Sequence, residues 1–317
     1  MDLKTARFLV LRGGAIGDFI LTLPAMQALR ERWPESTIEL IGYPRVARLA
    51  LVTGLVDRVD SLDRAGMAAF FSRRPEFTDR QCQFIRSFDV IVSYLNDPDG
   101  LVRQNLELAG AQQVLYGSPL VEGDHATAHL MKPLEELALF DEGQVPRLEL
   151  PMDLRDQGLE WLKQRDLHQA VAIHPGSGSP RKNWPLENFV ELARRLSETG
   201  KWSPFFIMGE ADQETAEALA GHAPESCVLA EEDLVDVAAV LAGCDAFIGN
   251  DSGITHLAAA VGLTVTALFG PTDPGLWAPR NPGATVLRTP GGNLEDITVD
   301  QVYARSVDAW RGGARRS

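Results

Sequence analysis

"FLVLRGGAIGDFILTLPAMQALRERWP" (residues 8–34) is the stretch that decides the architecture. Phe8 to Leu11 form a short apolar run of the kind that makes a buried strand. Gly13, Gly14 and Gly17 then supply a tight turn, and residues 18–34 read as a helix closed by Trp33-Pro34. Strand, glycine turn and helix together are the repeating unit of a parallel sheet. The turn also poses a chemical question. A dinucleotide fingerprint needs G-x-G-x-x-G, with the pyrophosphate resting on the helix N-terminus. Gly14 and Gly17 fit the last two positions, but Arg12 stands at the first and Asp18 follows Gly17 directly. A carboxylate in the first helical turn suits the helix dipole but repels an anion there. The turn therefore presents Asp18, either as a helix cap or as a general base at the end of a strand.

Working outward, the same alternation continues. Strands are expected at 37–43, 56–62 and 88–95, with a helix over 44–54 and an irregular stretch over 63–86. Residues 141–158 turn loop-like, with Pro146 and Pro151, and a domain boundary belongs there. Beyond it, helices at 155–166, 185–200, 211–222, 233–243 and 253–261 alternate with strands at 170–175, 203–209, 227–230, 246–250 and 264–270. The expected fold is α/β: two doubly wound Rossmann-like domains, 1–152 and 153–317, facing a central cleft beyond their strand carboxyl ends. A last helix over 298–310 has apolar residues suited to either domain, so it could pack back on the first.

Bulk composition narrows the function. A chain of 317 residues suits two domains of about 150 each. The formal charge of −14 is wrong for nucleic acid, whose phosphates need a basic face. Cys82, Cys227 and Cys244 are isolated, which points to reduced thiols, a cytoplasmic setting and no cysteine zinc site. The apolar run before the first glycines is too short for a signal peptide, and no stretch is long enough to span a bilayer.

Three further stretches carry chemistry. "HPGSGSPRKNWP" (174–185) joins a strand to a helix. Its Ser177, Gly178 and neighbouring amides offer donors, and Arg181 and Lys182 offer cations, which together suit a diphosphate. It lacks the G-x-x-x-x-G-K-[ST] spacing of a nucleoside-triphosphatase loop. "FIGNDSGITHLAAAVG" (247–262) runs from a strand through Asp251 and Ser252, natural N-caps, into a helix with Gly253 and His256 in its first turn. "LFGPTDPGLWAP" (268–279) makes a rigid turn holding Thr272 beside that motif. "NDPDG" (96–100) spells a D-x-D, but its Pro and Gly mark a turn rather than a metal site.

These motifs resemble glycosyltransferase family 9, the bacterial heptosyltransferases. The chain carries G-x-x-G-D-x-x-x-x-x-P, then H-P-G-x-G-x-x-x-K-x-W-P, then N-D-S-G-x-x-H-L-A-A-A-x-G with F-G-P-T-D-P, in that order over nearly its whole length. The resemblance implies the two-domain GT-B architecture and inverting transfer without a metal or other cofactor. It implies a nucleotide-diphosphate sugar as co-substrate, most often ADP-heptose, and an acceptor of the lipopolysaccharide-core type. It gives Asp18 the role of general base and Lys182 that of holding the donor phosphates, with Ser177 and Gly178 assisting. Asp251 would bind sugar hydroxyls, and Ser252, Gly253, His256 and Thr272 would line the donor site. One of Glu210, Asp212 and Glu214 would meet the ribose.

An acceptor region is expected in the irregular segment, where Arg64, Arg73 and Arg74 stand near the apolar "MAAFF" (67–71) of an otherwise acidic chain. A saccharide or glycolipid acceptor and peripheral contact with the inner membrane surface fit that pairing. Two alternatives share the architecture: a nucleotide-sugar epimerase, which needs no acceptor, and a non-catalytic nucleotide-sugar-binding protein.

Overall fold

Strand β1 (Arg7–Leu11) pairs in parallel with β2 (Thr37–Gly42) on one side and β4 (Val90–Ser93) on the other. Covered on both faces, it must be apolar throughout, and Phe8, Leu9, Val10 and Leu11 are all buried. The computed structural model describes residues 5–63, 66–209, 212–223, 227–230 and 233–313. The chain divides into two compact units, Met1–Pro146 and Arg147–Ser317.

The first unit holds β1, α1 (Ile16–Arg32), β2, α2 (Pro44–Val52), β3 (Arg58–Ser61), α3 (Asp79–Arg86), β4, α4 (Leu101–Leu108), β5 (Val114–Tyr116) and α5 (Ala126–Met131). Its parallel sheet has the order β3-β2-β1-β4-β5, so the strand order reverses between β1 and β4. Leu9, Leu11, Ile41, Phe70, Ile85 and Phe88 belong to the core on one face of that sheet.

The stretch expected to be irregular, 63–86, contains a 3-10 turn (Ala68–Phe71) and α3. Thr78 starts α3 with a capping box: its hydroxyl accepts from the Gln81 amide while Gln81 accepts from the Thr78 amide. Ile85 is the one residue of α3 that is fully buried, too little to register as periodicity. The 96–100 stretch is a turn, as its residues suggest. Asp97 is buried and accepts from the amides of Val102 (3.0 Å) and Arg103 (2.9 Å), capping α4.

The second unit runs α6 (Met152–Lys163), β6 (Ala170–His174), α7 (Leu186–Glu198), β7 (Ser203–Met208), α8 (Gln213–His222), β8 (Val228–Ala230), α9 (Leu234–Ala242), β9 (Ala246–Asn250), α10 (Gly253–Ala260), β10 (Thr264–Leu268), α11 (Pro274–Trp277), β11 (Ala284–Leu287) and α12 (Val299–Gly313). Its parallel sheet is ordered β11-β10-β9-β6-β7-β8, reversing between β6 and β9. Trp184, Phe189, Phe206, Ile248 and Trp310 are part of its core. Helix α12 packs on α7 and β10, within this unit. The division at Pro146 falls six residues before the expected 152, because Leu148 already donates to the Ala260 carbonyl (2.9 Å) and Leu148 and Leu150 are buried. Among the described residues no helix is long and apolar enough to cross a membrane. Cys82, Cys227 and Cys244 are free thiols.

Because Asp97 satisfies two amides at the start of α4, Asp97→Ala should lower unfolding free energy by about 1–2 kcal/mol, the scale of a lost helix cap. Urea denaturation of the two proteins measures it, and an unchanged midpoint would mean that the cap is idle.

Candidate functional site

Each unit places its chemistry-bearing residues where its strand order reverses, because no connecting loop has to cover the strand ends at that point. In the first unit the loop after β1 enters α1 with Asp18 in the first turn. Asp18 Oδ2 accepts from the Ala15 amide (3.1 Å), so the residue does serve as a cap. Its Oδ1 has no hydrogen-bond partner among the described residues, and the side chain is only half-buried. Gly14 adopts φ +97°, and a Cβ there would lie 3.0 Å from Asp18 Oδ2. Glycine thus keeps the space beside the carboxylate clear.

Arg12, which displaces the first fingerprint glycine, is buried beneath this turn. It donates to Thr22 Oγ1 (2.9 Å), to the Asp18 carbonyl (2.9 Å) and to the Tyr94 carbonyl (3.4 Å). Burial pulls its pKa below the ordinary arginine value, while the Asp18 charge and Tyr94 pull it back up. Burial likewise pushes the Tyr94 phenol up, and its hydroxyl donates to the Leu130 carbonyl at 2.8 Å. Sequence reasoning saw Arg12 only as a missing glycine; a charged residue between an apolar strand and a glycine turn was the available signal.

In the second unit the loop after β6 and the turn after β9 converge. Lys182 Nζ donates to Asp251 Oδ2 at 2.8 Å, bringing together two residues that lie 69 positions apart. The Asp251 side chain is 7% exposed and that of Lys182 34%, so the ammonium keeps one side toward solvent. An ammonium has three donors, and the remaining two are open to an anionic ligand. Asn250, wholly buried, clamps the loop at both ends: it accepts from the Trp184 amide (3.0 Å) and donates to the Pro175 carbonyl (2.7 Å). Ser252 caps α10 by accepting from the Thr255 amide at 3.3 Å. Gly253 and Ile254, the first two residues of α10, keep amides with no acceptor among the described residues.

The remaining predicted residues take varied positions. The Ser177 hydroxyl is engaged within its own loop, 2.6 Å from Asn183 Oδ1 and 2.7 Å from the Ser179 carbonyl. Gly178 is exposed, with open space where a Cβ would stand. His256 is buried on α10. Thr272 is half-buried in the turn after β10, next to Asp273, which caps α11. Asp212 is buried, and its Oδ2 accepts from His174 Nε2 (3.2 Å) and from the Gly209 amide (2.8 Å). Glu214 is exposed, and Glu210 lies outside the described residues. Arg73 and Arg74 are exposed, and Arg64 lies outside the described residues. Beneath the 66–84 segment is a cavity of about 600 Å³ lined in part by Ile41, Arg58, Met67, Phe70, Arg80 and Phe84.

Residues 126–303, more than half of the chain, match the profile of glycosyltransferase family 9 (heptosyltransferase). The chain belongs to this family. It is 37% identical over 129 residues to lipopolysaccharide heptosyltransferase 1 of Pseudomonas aeruginosa, covering 39% of this chain. That match spans about a third of the relative's own length, 36%. Among solved structures, the family 9 glycosyl transferase of Veillonella parvula DSM 2008 superposes with a TM-score of 0.81 at 22% identity, over 98% of this chain and 99% of that one. The E. coli ADP-heptose lps heptosyltransferase II superposes with a TM-score of 0.77 at 19% identity, over 97% and 99%. At such identities the likeness is one of fold, the two Rossmann-like halves of the GT-B class.

Asp212 yields a prediction about acid stability. Burial raises its pKa, but the His174 hydrogen bond and charge and the Gly209 amide outweigh that and hold it below the ordinary aspartate value. A group with a lowered folded pKa contributes stability that is whole above its unfolded pKa and is lost as pH falls through the folded one. A plot of Tm against pH should therefore fall less steeply on its acid side for Asp212→Asn than for the parent chain. Parallel acid limbs would contradict the assignment.

Proposed function

We propose that this chain is an inverting glycosyltransferase that moves heptose from ADP-heptose to a saccharide acceptor of the lipopolysaccharide-core type. The observation that carries the reading is the Lys182–Asp251 pair, set beside the unpartnered Gly253 and Ile254 amides where the second sheet reverses. Those groups suit a leaving diphosphate: one cation and a helix N-terminus, both aimed at the negative charge that develops as the sugar–phosphate bond breaks. Membership of a transferase family favours transfer over epimerisation or mere binding. ADP-heptose as donor is supported by the name of the E. coli relative of like fold.

The chemistry is one displacement. The acceptor hydroxyl oxygen forms a bond to the anomeric carbon, its proton passes to Asp18 Oδ1, and the sugar–phosphate bond electrons leave with the diphosphate. A single displacement inverts the anomeric centre. Lys182 spans Asp251 and the departing phosphate, so the step calls on no metal. Asp251, anchored by Lys182, has its other oxygen for a sugar hydroxyl, and Glu214 is the described acid of the 210–214 stretch that is open to a ribose.

For the acceptor, Arg73 and Arg74 offer exposed cations in the same segment whose Met67, Phe70 and Phe84 help to wall the cavity. That pairing of charge with apolar surface suits an anionic, lipid-linked saccharide met at the inner face of the cytoplasmic membrane.

Asp18→Asn should lower kcat at least about 10²-fold, the usual scale for a lost general base, with ADP binding intact. Steady-state kinetics with isothermal calorimetry test this, and wild-type turnover would reduce Asp18 to a cap. The double variant Arg73→Ala/Arg74→Ala should raise the acceptor KM several-fold and spare the donor KM. Unchanged acceptor kinetics would remove the segment from the acceptor site.

A further inference from the structure

Three neighbouring strand ends of the second unit are joined by one buried chain of side chains that the reaction above does not use. His174 is the last residue of β6, 4% exposed. Its Nε2 lies 3.2 Å from Asp212 Oδ2, just beyond β7, and its Nδ1 lies 3.1 Å from Ser252 Oγ, just beyond β9. Asp212 and Ser252 are themselves 6% and 8% exposed.

The proton positions follow from what each atom can do. An ionised carboxylate only accepts, so Nε2 carries the hydrogen toward Asp212. With its one ring proton on Nε2, Nδ1 accepts the Ser252 hydroxyl proton; with a second ring proton, Nδ1 donates to the Ser252 oxygen instead, and the His174–Ser252 contact is kept in both forms. The Ser252 oxygen still accepts from the Thr255 amide, while the Thr255 hydroxyl is itself committed to the Asn250 carbonyl. Ser252 is thus held between His174 on one side and Thr255 in the first turn of α10 on the other, and what it sets is the orientation of that helix. The same accounting rules against Ser252 as an activated nucleophile, although Asp, His and Ser stand in a row: its oxygen is buried and occupied as a helix cap. At the other end of the chain a Cβ on Gly176 would lie 1.7 Å from Asp212 Oδ1, so the loop after β6 rests against that carboxylate at Gly176.

We infer that His174 is a positioning residue for the donor diphosphate: through Ser252 it sets the free amides of α10, and through Asp212 it sets the loop that delivers Lys182. This rests on the donor reading above and adds to it a residue that touches no substrate. A buried hydrogen bond that holds a first-turn cap directs the amides behind it, just as outer hydrogen bonds orient the ligands of a metal site.

Two conservative variants separate the arms. Asparagine places its amide near the Nδ1 position and keeps the Ser252 arm. Glutamine reaches the Nε2 position and keeps the Asp212 arm. The full-length protein is titrated with ADP by calorimetry well below each variant's Tm, and donor and acceptor KM are measured separately. His174→Gln should weaken ADP binding roughly ten-fold or more and raise the donor KM in step, with acceptor KM and kcat at saturating donor nearly unchanged. His174→Asn should lose less. A His174→Gln protein that has a lower Tm but binds ADP within two-fold of the parent overturns the proposal, since that is the signature of a purely structural histidine. Should the His174 variants fail to fold, Ser252→Ala leaves the His174–Asp212 pair in place, and undiminished ADP affinity there overturns it equally. If the parent chain binds no ADP, the donor reading itself fails and takes this inference with it; if the parent binds and the variants match it, only this inference falls.

Discussion

A parallel sheet cannot cover both ends of all its strands. Each crossover carries the chain back over a face of the sheet, and where the strand order reverses the two loops leave in opposite directions. The gap they leave is a consequence of topology, and this chain has one between β1 and β4 and another between β6 and β9. Asp18 lies at the first, and Lys182, Asp251 and Ser252 at the second. The residues between strand and site are accordingly small or rigid: Gly14 at positive φ, Gly176 against a carboxylate, and Asn250 pinning both ends of a ten-residue loop.

Charge inside these gaps is held by compensation. Arg12 sits under the first turn with each guanidinium nitrogen engaged, and Asp251 is covered by Lys182. Removing Lys182 would leave the buried Asp251 charge without its cation, and removing the acceptors around Arg12 would leave its guanidinium unsatisfied, each at a cost in free energy. That cost makes such groups stiff, and stiffness is what a site needs if it is to meet charge in a transition state without first rearranging. The Asp212–His174–Ser252 chain extends the same economy of donors and acceptors across three strand ends.

Much of the fold was legible in the sequence because its signals are local. Apolar runs of four to six residues gave β1, β6, β9 and β10, and Trp33-Pro34 ended α1 where the structure ends it. What escaped was short or weakly amphipathic: α3 with a single fully buried residue, the elements between Leu101 and Met131, and β11, whose residues are all half-buried. The compact units divide at Pro146, inside the loop-like stretch 141–158 and six residues before 152, because Leu148 joins the second unit through a contact with α10 that no local pattern announces.

The site divides along the same line. By itself the sequence determined which strand end each candidate residue occupies, since strand–glycine–helix order dictates that locally. It also separated Asp18 from a phosphate-binding turn, because a carboxylate at a helix N-terminus excludes an anion. Only the tertiary structure decided which partners those residues take. Lys182 with Asp251, and His174 between Asp212 and Ser252, are pairs separated by 69, 38 and 78 positions. Such pairings are set by strand order, and strand order is fixed by how the sheet buries its two faces, which is a property of the packed chain and of no segment of it.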